Sequence, residues 1–140
     1  MSEKLKLKGK LVAIVLLIVF LDQISKVFAQ RQFLTFCNKG IAFGVGLPDP
    51  FGILLSVAIL SFIFYLMTRE KKALPAFSMA LIFGGGVSNL TDRFVYGCVR
   101  DFIDLKIWPS FNLADAAITF GVLLLIFSLF KNLAKNGLNT

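Results

Sequence analysis

The chain has 140 residues, 57% of them hydrophobic, and a formal net charge of +7. A soluble domain of this length has too little interior to bury that much apolar surface, so the composition predicts a single membrane-embedded domain over residues 1–140. The basic residues flank apolar stretches and form no solvated stripe, which argues against nucleic-acid binding. The absence of histidine excludes Ser-His-Asp and Cys-His nucleophiles and the usual His-containing zinc sites.

Four apolar segments are each long enough for a transmembrane helix, and we expect the spans at about residues 7–29, 51–67, 74–90 and 113–130. The first span follows lysines and resembles a signal peptide, but its apolar pattern continues past Asp22 and predicts an uncleaved helix. For Asp22, a polar helix end that snorkels to the interface and a structural role near an active site stay equally open. In the third span, the run Gly84-Gly85-Gly86 favours close helix packing over a phosphate-binding loop, because no GKS/T follows it.

Residues 31–50 have the composition of a small extended cap on the membrane surface, with strand-like residues at 33–36. Cys37 and Cys98 show no CxxC spacing; a disulfide is possible, but two unpaired small apolar residues are the favoured interpretation. Lysine and arginine are more numerous on the side that holds the two termini and the turn at residues 69–72. The sequence therefore predicts an all-α bundle of four transmembrane helices, with cytoplasmic N- and C-termini and an extended, β-like extracytoplasmic cap.

The polar stretch at residues 89–118 holds four of the eight acidic residues, although carboxylates beside hydrocarbon are costly. Asp101 and Asp115 are close enough in the chain for a loop to bring their carboxyls together. Two adjacent carboxyls share one proton, which leaves one acid and one base near neutral pH. The base can activate water while the acid polarises a carbonyl, so the sequence predicts that Asp101 and Asp115 form a catalytic pair.

Amides and charges recur at helical spacing around this pair. Asn89 precedes Asp92 and Arg93 by one helical turn, and Asn112 precedes Asp115 in the same way. We expect these side chains to orient the two acids and the loop between them. The structural alternative for Asn112 and Asp115 is a helix N-cap with a carboxylate in the first turn.

Five motifs follow one another along the chain: DQISK at 22–26, NKGIAF at 38–43, NLTDR at 89–93, GCVRDFID at 97–104 and FNLAD at 111–115. Together they resemble the lipoprotein signal peptidase (signal peptidase II) family of bacteria. The resemblance implies an intramembrane aspartic endopeptidase that removes signal peptides from prolipoproteins, cutting before a diacylglyceryl-modified cysteine. It places the catalytic pair at Asp101 and Asp115. The further polar site positions that it implies are Asp22, Asn38, Asn89, Asp92, Arg93 and Asn112.

The resemblance also implies the setting of the enzyme. The site would lie at the extracytoplasmic face of the bacterial inner membrane, with no cofactor and no metal. The expected partners are lipid-modified prolipoproteins, membrane lipids and globomycin-type peptide inhibitors, and we expect a monomer. The chain departs from the family pattern at Lys39, at Ile41 and at Arg100, which stands where a small apolar residue is common. Arg100 points away from Asp101 if the segment is extended; if the two pair, Arg100 lowers the pKa of Asp101.

Two other functions fit the same residues. A small transporter or channel component could use the aspartates to bind protons or cations, with Asp101, Asp104 and Asp115 as oxygen ligands. A non-enzymatic assembly factor could use them as helix caps and interface anchors. The acids cluster at one interface and line no path across the membrane, which favours the peptidase.

Overall fold

A computed structural model of the chain describes residues 3–40 and 50–137. The described residues form four helices, α1 (Glu3–Arg31), α2 (Phe51–Arg69), α3 (Ala73–Tyr96) and α4 (Leu113–Gly137), and two short strands, β1 (Phe36–Asn38) and β2 (Val99–Asp101). Each helix is long and apolar enough to cross a membrane, so the structure has four candidate membrane helices, one at each expected span. The observed helices run past most of the expected limits because the polar residues at their ends continue the helical hydrogen bonding.

Helix α3 lies at the centre of the bundle and packs against each of the other three helices. Its consecutive glycines face three different neighbours. Gly84 lies against α1, whereas a Cβ on Gly85 would approach the Ala114 carbonyl oxygen of α4 to 2.5 Å and a Cβ on Gly86 would approach Leu60 of α2 to 2.5 Å. The prediction that this glycine run permits close helix packing is therefore confirmed.

Helix α1 ends in a Schellman motif. The Leu34 N–H donates to the Ala29 carbonyl at 3.0 Å, the Phe33 N–H donates to the Gln30 carbonyl at 3.1 Å, and Phe33 has a φ of 57°. A residue with positive φ cannot continue a strand. The strand expected at residues 33–36 was therefore placed too early, and β1 begins only at Phe36.

The two strands pair antiparallel, with Phe36 opposite Asp101 and Cys37 opposite Arg100. Cys37 and Cys98 form a disulfide with their Cα atoms 5.5 Å apart, so the interpretation that favoured unpaired cysteines was wrong. The strand pairing brings together two cysteines that are 61 residues apart in the sequence, which spacing alone does not reveal. The predicted extracytoplasmic cap falls partly on residues 41–49, which lie outside the described residues.

Candidate active site

Asp101 and Asp115 come together because the chain folds back on itself after β2. An antiparallel bridge between Ile103 and Phe111 returns the chain to the end of the strand, where α4 begins. Asp101, the last residue of β2, is fully buried, and Asp115 is half-buried in the first turn of α4. The loop between the two aspartates thus has the fold that the sequence analysis required.

Asn112 contacts both carboxylates. Its side-chain Nδ2 donates to Asp101 Oδ1 at 2.7 Å, and its backbone N–H donates to Asp115 Oδ2 at 3.3 Å. Its Oδ1 accepts the Asp115 backbone N–H at 2.9 Å, which completes a reciprocal capping box at the start of α4. The helix-cap interpretation is therefore confirmed, and it is compatible with a role at the site because the Asn112 Nδ2 group still reaches Asp101.

The remaining carboxylate oxygens bind amides from other elements. Asn38 in β1 donates to Asp101 Oδ2 at 2.8 Å, and Asn89 in α3 donates to Asp115 Oδ1 at 2.7 Å. Each aspartate is thus held through both oxygens. Asn89 and Asn112 were predicted from their helical spacing to orient the acids, and Asn38 is one of the polar positions that the family resemblance implies.

The environment of Asp101 suits proton transfer near neutral pH. Burial raises the pKa of Asp101 to about 6 from an ordinary value of 3.8, and the hydrogen bond from Asn38 opposes the rise. The nearby Asp115 carboxylate raises the Asp101 pKa further, and the Asn112 hydrogen bond lowers it. Loss of water therefore contributes more to the raised pKa than repulsion between the two carboxylates does.

A buried cluster of four charges lies beside this pair. Lys26 Nζ is 2.6 Å from Asp22 Oδ2 and 3.1 Å from Asp92 Oδ2, and Arg100 Nη2 is 2.8 Å from Asp92 Oδ1. Two cations thus balance two carboxylates away from water. Asp22 is fully buried, so the structure supports a structural role for it over snorkelling to the interface.

The charge cluster is connected to the Asp101–Asp115 pair through two hydrogen bonds. Lys26 Nζ donates to Asn89 Oδ1 at 3.0 Å, which turns the Asn89 amide so that its NH₂ group faces Asp115. Asp22 Oδ1 accepts the Ala114 backbone N–H at 2.8 Å and so fixes the first turn of α4. The cluster therefore sets the position of the helix end that carries Asp115.

Arg100 and Lys26 were not predicted as members of the site. Arg100 binds Asp92, Gln23 and Gln30 on the face of β2 opposite Asp101, which confirms the extended alternative considered for it. The ion pair of Lys26 with Asp22 could have been predicted from the sequence, since Lys26 lies one helical turn after Asp22.

Two other residues considered from the sequence lie further from the pair. Arg93 Nη2 donates to the Gly40 carbonyl at 3.1 Å and so connects α3 with the segment after β1. The Asp104 carboxylate binds Lys106 at 2.6 Å. Within residues 3–40 and 50–137, no three acidic, histidine or cysteine side chains are placed to hold a metal ion, so the three-aspartate cation site is not assembled there.

Comparison with known proteins places the chain in a family. The family model for signal peptidase (SPase) II matches residues 14–131. The chain belongs to the signal peptidase II family. It is 41% identical over 128 residues to a lipoprotein signal peptidase of Aquifex aeolicus, covering 81% of this chain and 75% of that protein. It is 37% identical over 140 residues to a lipoprotein signal peptidase of Moorella thermoacetica, covering 87% of this chain and 93% of that protein.

The fold agrees with this assignment. A solved bacterial membrane enzyme superposes with a TM-score of 0.84 at 26% identity, covering 91% of each chain, and a second gives a TM-score of 0.77 at 27% identity. The resemblance noted from the five motifs is thus confirmed. The protein is a multi-pass membrane peptidase of the bacterial inner membrane.

Proposed function

We propose that this chain removes signal peptides from diacylglyceryl-modified prolipoproteins, cutting before the lipidated cysteine with Asp101 and Asp115 as the catalytic pair. The observation that carries the proposal is the contact of Asn112 with both carboxylates. The substrate class is supported by the relatives, which are named lipoprotein signal peptidases.

The two carboxyls supply the acid and the base of an aspartic-protease mechanism. Burial and mutual repulsion favour a state in which the pair holds one proton. The ionised carboxylate takes a proton from water, and the resulting nucleophile attacks the scissile carbonyl carbon. The protonated carboxyl donates its proton to the carbonyl oxygen, which gives a tetrahedral intermediate. The carboxyl that took the proton from water then passes it to the leaving nitrogen as the C–N bond breaks, and the proton on the former carbonyl oxygen returns to the other carboxylate. Asn38, Asn89 and Asn112 hold the carboxyls in place during these steps.

The positive residues give the orientation that we propose. The more basic side faces the cytoplasm together with both termini, so the catalytic pair lies at the extracytoplasmic face. Large apolar side chains cover the outer faces of α1, α2 and α4, where they would meet lipid. A diacylglyceryl group could therefore stay in the bilayer while the peptide reaches the pair. A monomer is sufficient for this arrangement, and a globomycin-type peptide would compete for the same position.

The test is cleavage of a prolipoprotein by the purified protein in detergent, with and without the diacylglyceryl group on its cysteine. Wild type should cleave only the lipidated form, and Asp101→Asn and Asp115→Asn should each abolish turnover while the protein stays folded. Asp104→Asn is the matched control, because Asp104 pairs with Lys106 outside the site and this variant should keep its activity.

Two results would refute the assignment. Substantial turnover by Asp101→Asn or Asp115→Asn would remove the proposed pair. Loss of activity in EDTA that added metal restores would favour the cation-binding alternative, and ion flux in liposomes would then be measured with the same variants.

A further inference from the structure

Strand β1 is a weakly supported element at an important position. It has three residues and, among the described residues, it pairs with β2 alone; its Phe36 and Cys37 are exposed. A two-stranded sheet is marginally stable without further support. The sequence between the strands contains the whole of α2 and α3, so local chain geometry does not hold β1 on β2.

The residue at the end of β1 binds a catalytic carboxylate. Asn38 Nδ2 donates to Asp101 Oδ2 at 2.8 Å, and Asn38 Oδ1 accepts the Gly40 N–H at 2.8 Å. The segment has a non-covalent tie to α3 through Arg93 and the Gly40 carbonyl. The covalent tie is the disulfide, which joins Cys37, the residue before Asn38, to Cys98, the residue before β2.

We propose that the Cys37–Cys98 disulfide positions the catalytic pair by keeping β1 on β2, so that Asn38 stays hydrogen-bonded to Asp101, and that reduction of the disulfide lowers turnover. This inference rests on the proposed function. Cys37 and Cys98 are positioning residues, since they act on Asp101 through Asn38.

The chemistry fits the proposed side of the membrane. When the bond forms, two thiols lose two electrons and two protons to a disulfide-type oxidant, which is reduced to a dithiol. Such oxidants act outside the cytoplasm, where structural disulfides persist. In the reverse direction, dithiothreitol transfers two electrons and two protons to the bond and becomes a cyclic disulfide, leaving free thiols at both cysteines.

Reduction should change the pH dependence of the reaction as well as its rate. A loosened β1 changes two influences on the pKa of Asp101: it admits water to a carboxyl whose pKa is raised by burial, and it removes the Asn38 hydrogen bond, which lowers that pKa. The pH–activity profile of the reduced enzyme should therefore differ from that of the oxidised enzyme. The loss of one hydrogen bond to a carboxylate should lower kcat by about tenfold near neutral pH. KM should change little, because the displaced contact is within the enzyme.

The experiment compares oxidised wild type, wild type treated with dithiothreitol, and the double variant Cys37→Ala/Cys98→Ala on a lipidated prolipoprotein. Maleimide labelling before and after treatment establishes the thiol state. Reduced wild type and the double variant should show the same lower kcat and the same shift of the pH–activity profile. Dithiothreitol should have no effect on the double variant, which confirms that the reductant acts through this bond.

Asn38→Ala tests the route of the effect. This variant removes the hydrogen bond and leaves the disulfide in place. If both changes act through the same hydrogen bond, the fold-decrease in kcat of the combined variant should be smaller than the product of the two separate fold-decreases. The inference is overturned if maleimide labels both thiols in untreated enzyme, or if opening the bond leaves kcat and the pH profile unchanged.

If the reduced enzyme has a lower melting temperature but the same pH–activity profile as oxidised wild type, the inference is also overturned, because the disulfide then contributes only to stability. Equal cleavage by oxidised and reduced wild type defeats this inference and leaves the peptidase assignment standing. No cleavage by oxidised wild type overturns both.

Discussion

Replacing Lys26 with methionine should destabilise the protein severely, because its ammonium group is shared by two buried carboxylates. Lys26 Nζ lies 2.6 Å from Asp22 and 3.1 Å from Asp92, and all three side chains are 0% exposed. Methionine keeps a long unbranched side chain, so the substitution removes the charge and the donors with little change in packing.

The size of the effect follows from the contacts that remain. Asp92 keeps Arg100, whereas Asp22 keeps only two neutral donors, the Ser88 hydroxyl at 2.7 Å and the Ala114 N–H at 2.8 Å. Among the described residues, Asp22 is then a buried carboxylate with no cation. Removing one partner of a buried pair costs about 3–5 kcal/mol of unfolding free energy. Activity should fall too, because Asn89 Oδ1 loses the Lys26 donor and keeps only Asn112 Nδ2 at 3.2 Å.

The assay is titration of the purified protein from a mild detergent into sodium dodecyl sulfate, with helix content followed by circular dichroism. Lys106→Met is the matched control: its ion pair with Asp104 has the same length of 2.6 Å, but the Lys106 side chain is 83% exposed. The control should unfold like wild type, because water screens an exposed pair. Equal shifts of the unfolding midpoint for Lys26→Met and Lys106→Met would refute the argument that burial decides how much each lysine contributes to stability.

Further changes test the packing, the protonation and the cap. Gly85→Ala should cost about 1–3 kcal/mol in the same titration because the added methyl meets the Ala114 backbone, whereas Gly9→Ala, with open space around it, should be neutral or slightly stabilising. Because the folded-state pKa of Asp101 is raised to about 6, the folded state binds this proton more tightly than the unfolded state. Wild type should therefore lose up to about 3 kcal/mol of stability relative to Asp101→Asn as the pH rises from about 4 to 7. Asn112→Ala should cost about 1 kcal/mol as a lost cap but lower kcat far more, since Asp101 loses the side-chain donor to its Oδ1 while the backbone donor to Asp115 remains.

The sequence was sufficient to predict the helices and that Asp101 and Asp115 come together. Apolar runs of about 20 residues can be recognised without tertiary information, because the bilayer itself sets their length. Asp101 and Asp115 stand out because carboxylates are costly beside such runs. The N-cap at Asn112 was also predicted, since it depends only on residues within one helical turn.

The parts that the sequence did not predict depend on contacts between distant segments. Three-residue strands are too short to show a period, so the pairing that joins Cys37 to Cys98 leaves no local pattern. Lys26 was not predicted as a member of the site, because its burial depends on Asp92 in another helix. Arg100 was considered only in relation to Asp101, although its partner Asp92 lies eight residues earlier, in α3.

The charge cluster also bears on how the chain enters the membrane during synthesis. Asp22 and Lys26 lie one helical turn apart on α1, so this helix can carry its own counter-ion across the translocation machinery. Asp92 and Arg100 form a second such pair at the end of α3 and the start of β2. Each of these two ion pairs is neutral on its own before α1 and α3 associate. The Lys26–Asp92 contact, which joins the two pairs, forms only when the helices associate. The buried charges are therefore already paired before the bundle forms, and membrane insertion and helix assembly can proceed as separate steps.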